Sequence, residues 1–165
     1  MNTKLIRIAE LAQKNPEMNF TSLAHLLSVE ALKLCHHELA GNKATGIDEV
    51  TKAEYAENLE ENITELVKRL KRKSYRPLPV RRVYIDKAGS KERRPLGIPA
   101  YEDKIVQRAL AKILEAIYES DFLDCSFGFR PKRNCHDALK VLNVYIENRY
   151  TNYIVDADIK VITSL

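Results

Sequence analysis

In five stretches of this chain apolar residues return at three- and four-residue steps, the period of a helix with one buried face. Leu5, Ile6, Ile8, Ala9, Leu11 and Ala12 define a first helix over 3–14, stopped by Pro16. A second, starting at Thr21 or Ser22 and ending at Leu39, points Leu23, Leu26, Leu27, Ala31 and Leu34 inward and closes on Gly41 as its cap. The third opens on Thr51 and Glu54, which form a capping-box pattern. It runs to about Lys73 with Tyr55, Leu59, Ile63, Leu66, Val67 and Leu70 on one face. A fourth repeats Ile105, Val106, Ala109, Leu110, Ile113, Leu114 and Ile117 and has the strength of pattern expected of a core helix. The fifth, about 135–149, carries Ala138, Leu139, Leu142, Tyr145 and Ile146 inward.

Between the third and fourth helices the period changes to two. Pro77 and Pro79 force an extended approach, VRRVYI alternates like a half-exposed strand, and RRPLGI reads as its antiparallel return. Pro95 lacks an N–H, so its position in the second strand belongs at an edge or a bulge. NYIVDADIK, 152–160, alternates again, with Val155, Ala157 and Ile159 on one face and Asp156 and Asp158 on the other. The expected fold is therefore α+β and mostly helical, with a β-hairpin and a C-terminal strand.

Composition narrows the class. At 165 residues with 45% hydrophobic and 30% charged residues, the chain can bury a core as a soluble globular protein. No apolar run reaches bilayer length and the first ten residues lack the apolar centre of a signal peptide, so the expected location is cytoplasmic, with no membrane partner. Cys35, Cys125 and Cys135 form no CxxC pair, which argues for reduced, structural thiols over disulfides or zinc. His25, His36 and His37 read as surface or capping residues and His136 as a cap or packing residue; for His36 and His37 the helix end favours imidazolium.

Charge is concentrated. From Lys68 to Arg94 there are twelve basic residues and two acidic ones, a local balance of +10 in a chain of net +4. The dipole of the third helix accounts for the bases up to Lys73, but not for those from Arg76 to Arg94. A phosphate-rich partner fits that excess. FLDCSFGFRPKRN, 122–134, sets Phe127 and Phe129 beside Arg130, Lys132 and Arg133; such a segment either stacks on single-stranded nucleic acid or packs as a loop with a solvated tip. The carboxylates of Asp156 and Asp158 call for nearby bases, a divalent cation or solvent at a frayed end.

Five of these blocks, NKATGIDEVT, YRPLPVRRVYIDK, RRPLGIPAYEDKIVQRAL, SFGFRPKRNCHDAL and DADIK, together resemble the group II intron-encoded reverse transcriptases with maturase activity and the related bacterial enzymes. The resemblance covers about 41–160. It implies an N-terminal helical extension at 1–40, a fingers region at 41–150 and the first palm strand at 151–165, with the palm truncated. It also implies RNA as partner, a deoxynucleoside triphosphate as substrate of the full-length enzymes, and magnesium as cofactor. By this resemblance Asp158 matches the first metal-binding and catalytic aspartate, Lys87 and Arg94 match residues holding the nucleotide triphosphate, and Arg130 with the surrounding GFRP segment matches the template path, with Lys132 and Arg133 as neighbouring RNA-binding candidates. Arg81 and Arg82 match RNA-backbone contacts.

Departures from the family pattern bear on activity. After DADIK the chain reads VITSL where the family has a glycine and two aromatics, and Asp86 stands where proline is usual. No Asp-Asp pair occurs in the sequence, so a two-metal site is not completed by these residues. The expectation is fingers and partial palm of such an enzyme, without polymerase activity in this chain alone. The alternatives are a non-catalytic RNA-binding module and a decayed remnant. The particular RNA and the oligomeric state are not encoded in these motifs.

Overall fold

A computed structural model describes residues 2–86, 89, 91–148 and 151–157. The reciprocal cap expected at Thr51 forms: its hydroxyl accepts the Glu54 N–H at 3.2 Å while the Glu54 carboxylate accepts the Thr51 N–H at 2.8 Å. It starts α3 (Lys52–Glu57), but the helix does not run on unbroken to Lys73. Asn58, at φ −123° and ψ 40°, leaves helical geometry, and α4 (Leu59–Lys71) begins anew. Likewise the expected second helix is two pieces, a 3₁₀ turn (Ala24–Leu26) and α2 (Val29–Glu38). The cause is Ser28, an extended residue whose side chain caps the Ala31 N–H. That helix ends at Leu39 in an extended conformation, so Gly41 is not its left-handed cap.

The chain divides into two compact units, Met1–Asp121 and Phe122–Leu165. In the first, α1 (Asn2–Lys14), α2, α3, α4 and α5 (Tyr101–Tyr118) enclose the core. Helix α5 serves as its spine. Its first half supplies Tyr101, Ile105, Val106 and Ala109 to a cluster with Leu32 and Cys35 of α2, Tyr55 of α3, and Ile63, Leu66 and Val67 of α4. Its second half places Ile113 against Ile8 of α1 and Leu26. The apolar stripe is narrower than its periodicity suggests: Ile6, Leu34, Leu110 and Leu114 are all exposed.

Strands β1 (Arg81–Asp86) and β2 (Arg93–Ile98) form the expected antiparallel hairpin, with Tyr84 opposite Pro95. It is a two-stranded sheet, so Pro95 costs no ladder to a third strand. The half-exposed expectation is corrected, because nearly every hairpin residue is exposed and neither face is packed on the core. In the second unit, α6 (Cys135–Asn148) forms where expected, yet Leu139, Leu142, Tyr145 and Ile146 are exposed among the described residues. Residues 151–157 are not in a strand, since no strand among the described residues pairs with them; the remainder of DADIK lies outside those residues.

The loop between α2 and α3 fixes the start of α5. A Cβ on Gly46 would lie 2.5 Å from Ala100 Cα and 2.6 Å from its nitrogen, both backbone atoms. Gly46→Ala is therefore expected to cost roughly 2 kcal/mol or more in urea denaturation, whereas Gly41→Ala, whose Cβ would meet only Lys52 Cδ at 3.8 Å, should stay within about 0.5 kcal/mol of the parent.

Candidate nucleic-acid interface

The hairpin is held at its root and free beyond it. Buried Asp103, in the first turn of α5, accepts the Tyr75 hydroxyl on Oδ1 and the Leu78 N–H on Oδ2 at 3.1 Å, which aims the segment leading into β1. Next to it, Glu102 receives both bonds of the Arg69 guanidinium, 2.8 and 2.7 Å, and the Tyr55 hydroxyl at 3.3 Å. Burial first, then these carboxylates, push the phenols of Tyr55 and Tyr75 well above the ordinary tyrosine range, so both remain neutral donors. Arg81, the first residue of β1, turns back: its Nε and Nη2 donate to the Thr45 carbonyl at 3.0 and 2.7 Å. Lys104 likewise donates to the Ala44 carbonyl.

Past Arg81 the basic residues separate by face. In the observed register Arg81, Val83, Ile85, Arg94, Leu96 and Ile98 share one side of the ladder, and Arg82, Tyr84, Asp86, Arg93, Pro95 and Gly97 share the other. Arg82 and Arg94 are exposed and without a side-chain partner among the described residues, whereas Arg93 pairs with Asp86 across the strands at 3.0 Å. The two arginines expected to meet RNA and nucleotide thus face opposite ways. Lys87 lies outside the described residues.

In the second unit the loop is organised by its own arginines. Arg130, nearly buried, donates to the carbonyls of Leu123 at 2.8 Å and Ser126 at 2.9 Å and lies 5.0 Å from the Phe122 ring centre. Arg133 bonds the Asp124 carbonyl and stacks over Phe127 at 5.3 Å. Both guanidinium groups hold the loop closed, a use that composition does not distinguish from an RNA contact. Lys132 is exposed and left-handed at φ 60°, and Phe129, at φ 56°, is fully exposed.

Asp158 lies outside the described residues, and among those residues no group of three or more His, Cys, Asp and Glu side chains is assembled. The carboxylates that tie the helices together and aim the hairpin, Glu102 and Asp103 respectively, read in the sequence as ordinary acids at a helix start. Their available signal was the tyrosines Tyr55 and Tyr75, polar-tipped residues that need a partner when buried.

No family model matches the chain. Over 157 residues, 94% of its length, it is 40% identical to the group II intron-encoded protein LtrA of Lactococcus lactis subsp. cremoris. The chain belongs to the group II intron-encoded reverse transcriptase and maturase family. It is also 37% identical over 145 residues to protein YkfC of Escherichia coli K12, and 42% identical over 64 residues to nuclear intron maturase 2, mitochondrial, of Arabidopsis thaliana. The matched region is 26% of LtrA, 38% of YkfC and 8% of the maturase, so the chain spans about a quarter of the intron-encoded relative it matches along most of its length. As in the rest of the family resemblance, the hairpin falls within the region compared. Among its described residues, no helix is long and apolar enough to cross a membrane.

The helical core contains one titratable group, His36, expected at the surface or as a helix cap. His36 is buried, 3.0 Å from the Tyr101 hydroxyl through Nδ1 and packed on the Tyr55 and Tyr101 rings. Burial, and then the nearby Lys52 and His37, lower its pKa below the usual histidine value, opposite to the helix-end expectation. In the unfolded chain the ring takes a proton at higher pH than in the folded one. The contribution of His36 is thus intact above the ordinary value of about 6.5 and lost as pH falls below it. His36→Gln should flatten the fall of denaturation midpoint between about pH 7 and 5.

Proposed function

We propose that the chain provides the fingers region, and the start of the palm, of a group II intron reverse transcriptase and maturase, and that its own activity is to bind RNA. The observation that carries this reading is the hairpin: exposed on both faces, anchored at one end, and presenting Arg82 and Arg94 without partners inside the most basic stretch of the chain. Such a protrusion gains little for the fold by its charges, because exposed ion pairs contribute at most about 1 kcal/mol each. It gains binding free energy by releasing counterions from a phosphate backbone.

In the full-length relatives' setting, Lys87 and Arg94 would hold the triphosphate of an incoming nucleotide and Asp158 would join the metal-binding carboxylates. Arg81 bonds the Thr45 carbonyl at the hairpin root through Nε and Nη2, which leaves Nη1 for the RNA backbone. Arg130 and Arg133 shape the loop that would carry exposed Lys132 to the template. Polymerisation by this polypeptide alone is not expected, because magnesium catalysis needs a carboxylate cluster that Asp158 by itself does not supply.

Affinity for a structured RNA measured against salt tests the proposal. The parent chain should bind with a steep inverse salt dependence, and Arg82→Glu, Lys87→Glu and Arg94→Glu combined should weaken binding at least ten-fold and reduce the log–log slope by roughly 2–3. Binding indifferent to all three would refute it. Nucleotide incorporation on a primed RNA, abolished by Asp158→Ala, would refute the expected lack of polymerase activity.

A further inference from the structure

The two faces of the hairpin are chemically unlike, and only one is explained by charge. On the side shared with Arg94, Val83 stands opposite Leu96 and Ile85 opposite Arg94. On the other side the centre is Tyr84, 54% exposed, with Pro95 directly across from it. Directly opposed residues in an antiparallel pair have their Cβ atoms about 5 Å apart, which makes Pro95 the cross-strand neighbour of Tyr84. Tyr84 has no side-chain hydrogen-bond partner among the described residues, and its ring is covered by no core element.

The neighbours of Tyr84 on that face complete the pattern. Arg82 is opposite Gly97, which presents no side chain. Asp86 and Arg93, one step further out, neutralise each other. The face therefore offers one aromatic surface and one net positive charge two residues from it. Val80 occupies the inner end of this face, where a Cβ on Gly97 would lie 3.1 Å from Val80 Cγ2.

We infer that this face is a stacking site for an unpaired base of single-stranded RNA, with Tyr84 as the platform and Arg82 holding the adjoining phosphate. The occupant is single-stranded because in a duplex both π-faces of each base are covered by its neighbours, leaving a lone exposed ring nothing to stack upon. Charge favours a polyanion: the stretch that includes the hairpin carries +10. The site is distinct from the Arg94 face, so both can be filled at once. It rests on the proposed RNA binding and adds a second contact surface to it.

The test compares a short unstructured RNA with a blunt RNA duplex by fluorescence anisotropy, using the full chain. Tyr84→Thr keeps a good strand former without the ring, and Tyr84→Phe keeps the ring. Tyr84→Thr should lose affinity for the single strand on the order of ten-fold, with the salt slope unchanged, and leave duplex affinity as in the parent. Tyr84→Phe should match the parent on both. Arg82→Ala should weaken single-strand binding and reduce its salt slope by about 1. Equal single-strand affinity for the parent and Tyr84→Thr, while Arg94→Glu still weakens binding, would overturn the stacking site and leave RNA binding standing. Absence of binding by any form would overturn both.

Discussion

The first turn of α5 is the point on which the rest of the described structure depends. Gly46 packs against the backbone just before it, Tyr101 and Ile105 enter the core from it, and Glu102 and Asp103 receive the polar groups of α3, α4 and the approach to β1. A buried carboxylate is tolerated only when hydrogen-bonded, and Asp103 meets that requirement by capturing Tyr75 and the Leu78 N–H. The same bonds that satisfy the carboxylate direct the chain outward into the hairpin. Packing and presentation of the basic surface thus share one set of atoms.

That arrangement gives the hairpin an unusual division of labour among its arginines. Arg81 bonds Thr45, Arg93 pairs with Asp86, and Arg82 and Arg94 are left on opposite faces. A two-stranded ribbon gains little stability from water alone, and this one has no buried face. Its root bonds fix where it starts, and a partner on its faces would supply the order that the core does not. On the proposed function that partner is RNA, whose phosphates reward exposed arginine more than the protein interior does.

The helical core and hairpin were legible because periodicity and turn chemistry are local: the capping box at Thr51, the helix α5 and the two strands around Tyr84 all form where the sequence indicates. The misreadings arose where a single residue overrides a pattern, as Ser28 and Asn58 do, or where a periodic face is exposed among the described residues, as in α6. Composition could count the basic residues but not apportion them. Arg81 and Arg82 are adjacent in sequence, yet one locks the root and the other stands free, a difference set by the Thr45 carbonyl arriving from 36 residues away. His36 was misplaced for a related reason, since its burial depends on Tyr55 and Tyr101 packing around it from other helices.

Hydrogen–deuterium exchange with and without a structured RNA tests most directly whether the hairpin is the docking element. In the free chain the amides of β1 and β2 should exchange much faster than those of α4 and α5, and RNA should slow them while leaving the core helices unchanged. Protection confined to α1 and α2, with the hairpin exchanging as fast as before, would contradict the account.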